Sequence, residues 1–118
     1  MRCASNDRGA GSVLAIALIA VVVSITIALV PLYLVLSAKA SVAAAADSAA
    51  LAAADARVGA ATGFPCDRAA EVAAANGAAV RSCAADGLIL TVSVGRSVLG
   101  FDVQSTATAG PPSSGAIR

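Results

Sequence analysis

The sequence predicts an α+β, membrane-anchored chain: a long N-terminal transmembrane helix that extends outside the membrane, then a short helix and a small antiparallel β-meander. Three observations predict this. Residues 13–36 are predominantly apolar, with Tyr33 as their only ionisable side chain. Residues 37–58 contain neither Gly nor Pro. At residues 88–94, Leu88, Leu90, Val92 and Val94 alternate with Ile89, Thr91 and Ser93, which is the period of two typical of a half-buried strand.

The composition argues against catalysis and against charged partners. The 118 residues are 58% hydrophobic but only 3% aromatic, and much of the apolar content is alanine, which buries little area. The net charge of +1 provides no field to attract nucleic acid. The sequence contains no histidine, the commonest general base and metal ligand. We therefore predict a non-enzyme with no catalytic residue, no metal site, no cofactor, no small-molecule substrate and no nucleic-acid partner.

Residues 13–36 form the predicted transmembrane helix. A stretch of about 20 apolar residues crosses the hydrocarbon core of a bilayer, and the run from Val13 to Leu36 exceeds that length. Tyr33, near the far end, fits an aromatic residue at the membrane interface. Membrane lipid is therefore a predicted partner.

The orientation of this helix depends on few charges. Arg2, Arg8 and the amino terminus precede the span, whereas Lys39 is the one nearby cation after it. The positive-inside rule then predicts a cell-membrane protein in which segment 1–12 is cytoplasmic and the C-terminal part is extracytoplasmic. The alternative is a secreted binding module, because Ala38-Lys39-Ala40 has the pattern of a signal peptidase site and cleavage after Ala40 would release the remainder.

Small and polar residues within the span suggest a packing face. Ala20, Ser24 and Ala28 recur every four residues, and such rows let a second helix approach closely in lipid. Chance spacing in an alanine-rich helix is the alternative. The hydroxyl groups of Ser24 and Thr26 are expected to bond to the carbonyl one turn earlier, which requires no functional explanation.

Residues 37–61 are predicted to continue the helix outside the membrane as an alanine-rich extension. Alanine is the strongest helix former, so one helix is expected from Ser12 to about Ala60. One stripe of this extension carries small apolar residues: Val42, Ala46, Ala49, Ala53 and Ala56. Such short side chains permit close packing against a helix or a sheet.

Residues 62–109 are predicted to form a small αβ module. Gly59 to Pro65 breaks the long helix, and a short helix follows from Asp67 to the stop signal Asn76-Gly77. Three strands are expected, at residues 79–84, 88–94 and 98–107, with a turn at Asp86-Gly87 and a loop at 95–97. Residues 110–118 have the composition of a disordered tail.

Two of the three cysteines are predicted to form a disulfide. Cys3 would lie in the reducing cytosol, leaving Cys66 and Cys83 as a pair outside, where disulfides persist. Their bond would hold the start of the short helix against the first strand and contribute about 3 kcal/mol in the chain-entropy model. Two reduced, buried thiols are the alternative if the topology is reversed.

Three features together resemble the TadE/TadG-like proteins of tight-adherence (Flp) pilus systems. Arg8-Gly9-Ala10, just before the span, looks like the N-terminal Arg-Gly motif of that family. Residues 45–52 are similar to its "AADxAALA" stretch, with matches at Ala46, Asp47, Ala49, Ala50 and Leu51. The order of a cysteine-containing helix, an Ala-Ala-Asn-Gly stop, a cysteine and an Asp-Gly turn resembles a small actinobacterial subgroup.

The resemblance implies a pilin-like fold and a pseudopilin role. The chain would be a structural or assembly component of a tight-adherence pilus or of an associated secretion system, with other pilus-assembly or TadE/TadG-like membrane proteins as partners. Many family members are cut by a prepilin peptidase after the motif glycine, here Gly9. They carry a glutamate five residues on, where this sequence has Leu14.

Overall fold

The computed structural model describes the backbone of residues 2–112 and the side chains of residues 9–112. Its elements, in chain order, are α1 (Arg2–Arg57), α2 (Pro65–Ala75), β1 (Ala79–Asp86), β2 (Ile89–Val98) and β3 (Phe101–Ala109). The chain divides into two compact units, the first ending at Leu34 and the second beginning at Val35. Most of the predicted disordered tail, residues 113–118, lies outside the described residues. The predicted helix–helix–strand–strand–strand order is confirmed.

Helix α1 begins earlier than the sequence predicts. It starts at Arg2 rather than at Ser12, so segment 1–12 is helical where the structure describes it. Within the first unit, Ser24 Oγ donates to the carbonyl of Ala20 at 2.7 Å and Thr26 Oγ1 to that of Val22 at 2.8 Å. Both hydroxyl groups are thus satisfied by their own helix, as expected.

Helix α1 ends at Arg57, three residues before the predicted end at Ala60. Gly59 follows with a φ of 81°, a left-handed conformation that glycine adopts without a steric penalty and that commonly terminates helices. The Nε of Arg57 donates to the carbonyl of Gly87 at 2.9 Å. This bond joins the end of the helix to the turn between β1 and β2.

Helix α2 begins at Pro65. The sequence instead predicted a start at Asp67, with Pro65 in the segment that breaks the long helix. Proline suits the first helical position, because the amide hydrogen it lacks has no intrahelical acceptor there. The predicted stop is confirmed. Gly77, with φ at 74°, donates to the carbonyl of Ala74, and Ala78 donates to that of Ala73, which is the Schellman motif.

The three strands form an antiparallel sheet in the order β1-β2-β3, as predicted for a meander. The predicted loop at 95–97 is wrong, because these residues lie inside β2 and pair with residues 102–104 of β3. The turn instead lies at Leu99 and Gly100, where both φ angles are positive, at 52° and 81°. The predicted third strand therefore contained this turn at its start.

The hydrophobic core lies in the second unit, between the helices and one face of the sheet. Leu90, Val92 and Val94 of β2 are fully buried, as their alternation in the sequence predicts. Opposite them lies the small-residue face of α1, whose fully buried members are Val42, Ala45, Ala46, Ala49, Ala50 and Ala53. The cluster also contains Ala69 and Ala73 of α2, together with Ala78, Val103 and Ala107. Alanine thus provides close contact between layers rather than large buried area.

A β-bulge sets which residues of β1 face the core. The pairing with β2 shifts between Val80 and Ser82, so Arg81 is an extra residue without a partner of its own. Beyond the bulge, Cys83 lies opposite the buried Val92 and packs against the core. Because side chains alternate along a strand, one extra residue reverses the faces of those that follow. The bulge therefore turns Cys83 toward α2.

Candidate functional surfaces

The first unit presents an apolar helical surface. An 18-residue window of α1 has a mean hydropathy of 3.1, and none of it is buried inside the protein. The exposed side chains are branched and large, as in Leu18, Val22 and Ile25. In water such a surface would be strongly unfavourable, since each buried methylene group is worth about 0.8 kcal/mol. Its length and composition are compatible with a single membrane span.

The predicted packing row lies on this helix. Ala20, Ser24 and Ala28 are exposed and succeed one another at one-turn intervals along α1. Ser24 already donates its hydroxyl hydrogen to Ala20 within the helix. The row therefore offers a strip of small volume to a neighbouring helix rather than a free hydrogen-bond donor.

The predicted processing motif is also helical. Arg8, Gly9 and Ala10 lie within α1, and Gly9 and Ala10 are exposed. The Arg8 side chain is outside the described residues. A β-carbon added at Gly9 would meet nothing within 4 Å, so packing among the described residues does not require glycine there.

The second motif, residues 46–51, divides between the core and the surface. Ala46, Ala49 and Ala50 pack against the sheet, whereas Asp47 and Leu51 are exposed. The alanines of this motif are thus explained by the close approach of helix and sheet. Asp47 and Leu51, one turn apart, are the members left free for another role.

Asp47 and Leu51 line an open groove between α1 and the end of β3. A cavity of about 290 Å³ lies between them and residues 107–109, and an adjoining one of about 300 Å³ extends from Leu51 to Val58 and Pro111. Strand β3 is an edge of the sheet, so no further strand within residues 2–112 pairs with its outer backbone groups. The groove combines two carboxylates, Asp47 and Asp55, with apolar walls.

The structure joins Cys66 and Cys83 by a disulfide, with their Cα atoms 5.9 Å apart. Cys66 is the second residue of α2 and Cys83 lies in β1, so the bond connects the two elements that the sequence predicts. Sequence reasoning identified the pair. It could not identify the bulge at Arg81 that brings the two sulfur atoms together.

A polar cluster on the opposite face of the sheet was missed by the sequence analysis. The guanidinium of Arg81 donates to Asp102 at 3.1 Å, and the Gln104 amide donates to the same carboxylate. Arg81 belongs to β1 and Asp102 to β3, so their ion pair spans the central strand. It crosses β2 at Gly95, where an added β-carbon would lie 3.0 Å from the Arg81 Nε. The sequence signal that could have indicated this crossing was Gly95, which the sequence analysis placed in a loop.

A second surface missed by the sequence analysis is the turn between β2 and β3. Leu99 is 59% exposed and Phe101 is 66% exposed, although both are large and apolar. Phe101 lines a shallow cavity of about 280 Å³ together with Val35 and Lys39 of α1. We call residues 98–101 the hairpin tip.

The chemistry of the described surfaces is limited. Among the side chains of residues 9–112 there is no group of three or more His, Cys, Asp or Glu placed to hold a metal ion. The two carboxylates of α2, Asp67 and Glu71, lie on an exposed helix surface, where Arg68 donates to Glu71.

Comparisons of the chain with protein-family models, curated proteins and solved structures find no match. The resemblance to TadE/TadG-like proteins therefore depends on the motif residues of this sequence alone.

Proposed function

We propose that this chain is a single-pass membrane protein with a structural, non-enzymatic role, and that it acts as a pseudopilin-like, TadE-like component of a tight-adherence pilus or of an associated secretion system. The observation that carries the proposal is the apolar surface of α1, which is long enough for one span and unburied within the protein. A bilayer is the environment that removes such a surface from water. The motif residues at 8–10 and 46–51 support the pilus assignment.

The proposed orientation places the N-terminus in the cytoplasm and the second unit outside. The distribution of Arg2, Arg8 and Lys39 supports it through the positive-inside rule. The disulfide between Cys66 and Cys83 also supports it, because such bonds persist in oxidising compartments. The cell membrane is therefore the proposed location.

The proposed mechanism is packing of α1 against other membrane proteins of the assembly. Small residues at Ala20, Ser24 and Ala28 support a close helix contact within lipid. Outside the membrane, the groove lined by Asp47 and Leu51 is a second surface suited to a partner. No step of this mechanism needs a cofactor.

The alternative is a secreted binding module released after Ala40, and one observation favours it. Every residue of the main core cluster, from Val42 to Ala107, lies beyond that position and would remain in the released fragment. Against it, residues 38–40 are helical and Ala38 is only 3% exposed, so cleavage would remove a packed residue. Signal peptidase would have to act before the module folds.

Mass spectrometry of the mature N-terminus, purified from membrane and medium separately, tests these proposals. A membrane-bound chain beginning at Ala10 supports prepilin-type processing, and one beginning at Met1 supports an uncleaved membrane anchor. A chain beginning at Ser41 in the medium contradicts the anchored proposal and establishes the secreted one. A Gly9→Leu variant, with Gly11→Leu as its matched control, shows whether cleavage after residue 9 depends on that glycine.

A further inference from the structure

We propose that the hairpin tip inserts Leu99 and Phe101 into the lipid interface of the membrane that α1 crosses, so that the second unit has two contacts with one bilayer surface. This inference rests on the proposed membrane span and goes beyond it by assigning a lipid-binding site to the extracytoplasmic module. The partner is the boundary between headgroups and acyl chains, where exposed aromatic and aliphatic side chains are favoured.

The first argument is position. Phe101 lines one cavity with Val35 and Lys39, all within the second unit. Val35 belongs to the apolar run that ends at Leu36, and it follows Tyr33, the predicted interfacial residue, by two positions. If residues 13–36 cross a membrane, Val35 lies near its surface. A side chain that lines the same cavity as Val35 then lies near that surface as well.

The second argument is the choice of residue at the turn. Leu99 and Gly100 are the two central residues, and both have positive φ, the pattern of a type I′ turn. Asparagine, aspartate or glycine usually occupies the first of these positions, because a β-carbon is strained at positive φ. A leucine there is not explained by turn geometry, and its exposed side chain makes little contact within the protein.

The third argument is the face on which Phe101 lies. Phe101 pairs with Val98, which packs against the core, so both belong to the helix-facing side of the sheet. Further along β3, Val103 and Ala107 are buried on this side. Phe101 continues the same apolar row but is mostly exposed. Val98, Phe101 and Val103 thus form an apolar end of this face at the hairpin tip, whereas Arg96 and Ser105 lie on the same face further from the tip.

Charge at the tip is compatible with a phospholipid surface. Lys39 lines the cavity beside Phe101 and can meet lipid phosphate groups. Asp102, a carboxylate that also lines this cavity, is paired with Arg81 at 3.1 Å. The local repulsion of anionic headgroups is thereby reduced.

The absence of tryptophan from the sequence makes a direct test possible. Four full-length single variants are reconstituted in phosphatidylcholine–phosphatidylglycerol vesicles: Leu99→Trp and Phe101→Trp at the tip, Ile25→Trp within the span, and Leu88→Trp at the opposite turn. Leu88 is the matched control because it is also an exposed leucine in a two-residue turn. Indole fluorescence is quenched in parallel with lipids brominated on the acyl chains and with aqueous iodide. Disulfide formation, read from gel mobility, shows that each variant has folded.

The inference is supported if both tip variants lose most of their fluorescence to brominated lipid and resist iodide, while Leu88→Trp shows the reverse. It is overturned, with the span intact, if Ile25→Trp is quenched by brominated lipid but the tip variants behave like Leu88→Trp. Protection from both quenchers indicates that protein, either the same chain or a second copy of it, covers the tip, and this also overturns the inference. If Ile25→Trp is itself unquenched by brominated lipid, the proposed span and the inference both fail.

Discussion

Leu99 shows how a single residue can depart from the local preferences of its turn. Its φ of 52° lies in the left-handed region, which costs most L-residues about 1–2 kcal/mol relative to the right-handed one. At the other two-residue turn, the positive φ falls on Gly87, and Leu88 is not strained. The two exposed leucines therefore differ in backbone conformation rather than in chemistry.

Replacing Leu99 with asparagine is expected to stabilise the second unit by about 1 kcal/mol, because asparagine tolerates the left-handed region. The measurement is chemical denaturation of the full chain in detergent. Leu88→Asn is the control and is expected to bring no such gain. A lower unfolding midpoint for Leu99→Asn than for the parent chain would show that Leu99 makes stabilising contacts that its exposure does not reveal.

Gly95 lies where the sheet leaves no space for a larger side chain. A β-carbon there would lie 2.9 Å from the Cγ of Gln104 and 3.0 Å from both the Arg81 Nε and the Val103 carbonyl oxygen. Gly95→Val is therefore expected to destabilise the chain by about 2 kcal/mol, within the range of overpacked sites, as measured by thermal unfolding. Ser97→Val, two residues further along the same strand face, is the control. Equal unfolding temperatures for the two variants would contradict this account.

The roles of individual residues were the hardest feature to predict from sequence. The pairing of Cys66 with Cys83 could be predicted, because these are the only two cysteines beyond the proposed span, on the side where disulfides persist. The role of Gly95 did not follow, since a glycine followed by Arg96 and Ser97 has the same appearance in a loop as beneath an ion pair. Only the positions of Arg81 and Asp102 on the two outer strands distinguish these cases.

Among the elements, α1 depends on alanine for its contact with the sheet. Ala49 is completely buried between the helix and the strands, so a larger side chain has no space there. We expect Ala49→Leu to destabilise the fold by about 1–3 kcal/mol, as core overpacking does. Ala44→Leu, on the exposed side of the same helix, is the matched control and should have little effect. Denaturant unfolding of both variants provides the comparison; similar midpoints would argue that the layers separate easily.

The disulfide connects α2 to β1 and closes a loop whose ends are 17 residues apart in sequence. Its removal by Cys83→Ser should lower the free energy of unfolding by about 3 kcal/mol, because the unfolded chain regains the entropy of that loop. Thermal unfolding of the full chain measures the loss. Cys3→Ser, which leaves this disulfide in place, is the control. An unchanged midpoint in Cys83→Ser would mean that core packing alone holds α2 against the sheet.

The order of elements was predictable, but several boundaries were not. The sequence analysis placed Pro65 in the segment that breaks the long helix. In the structure Pro65 is instead the first residue of α2. Strand β2 continues through 95–97 because β3 supplies hydrogen-bonding partners there. A local pattern cannot report a partner that comes later in the chain. Tertiary pairing therefore decided where the strands end.

At the scale of the whole molecule, the proposed membrane location depends on the apolar part of α1. A charged residue at the centre of a span costs about 2.5–3.5 kcal/mol on insertion scales, so Ile25→Arg should markedly reduce membrane integration. Alkaline carbonate extraction of membranes measures it, with Ala44→Arg, an exposed position of the same helix outside the span, as the control. Equal retention of both variants in the membrane pellet would count against residues 13–36 as the span.

The sequence by itself determined the helix–helix–strand order, the apolar segment and the cysteine pair, because each depends on local composition or on the number of cysteines. The tertiary structure decided the bulge at Arg81, the crossing over Gly95 and the exposure of the hairpin tip. These features depend on contacts between residues far apart in the chain, which no local pattern encodes. The sequence thus indicates an apolar helix followed by a small module. The structure adds that Phe101 of this module lies beside Val35, at the end of the apolar run.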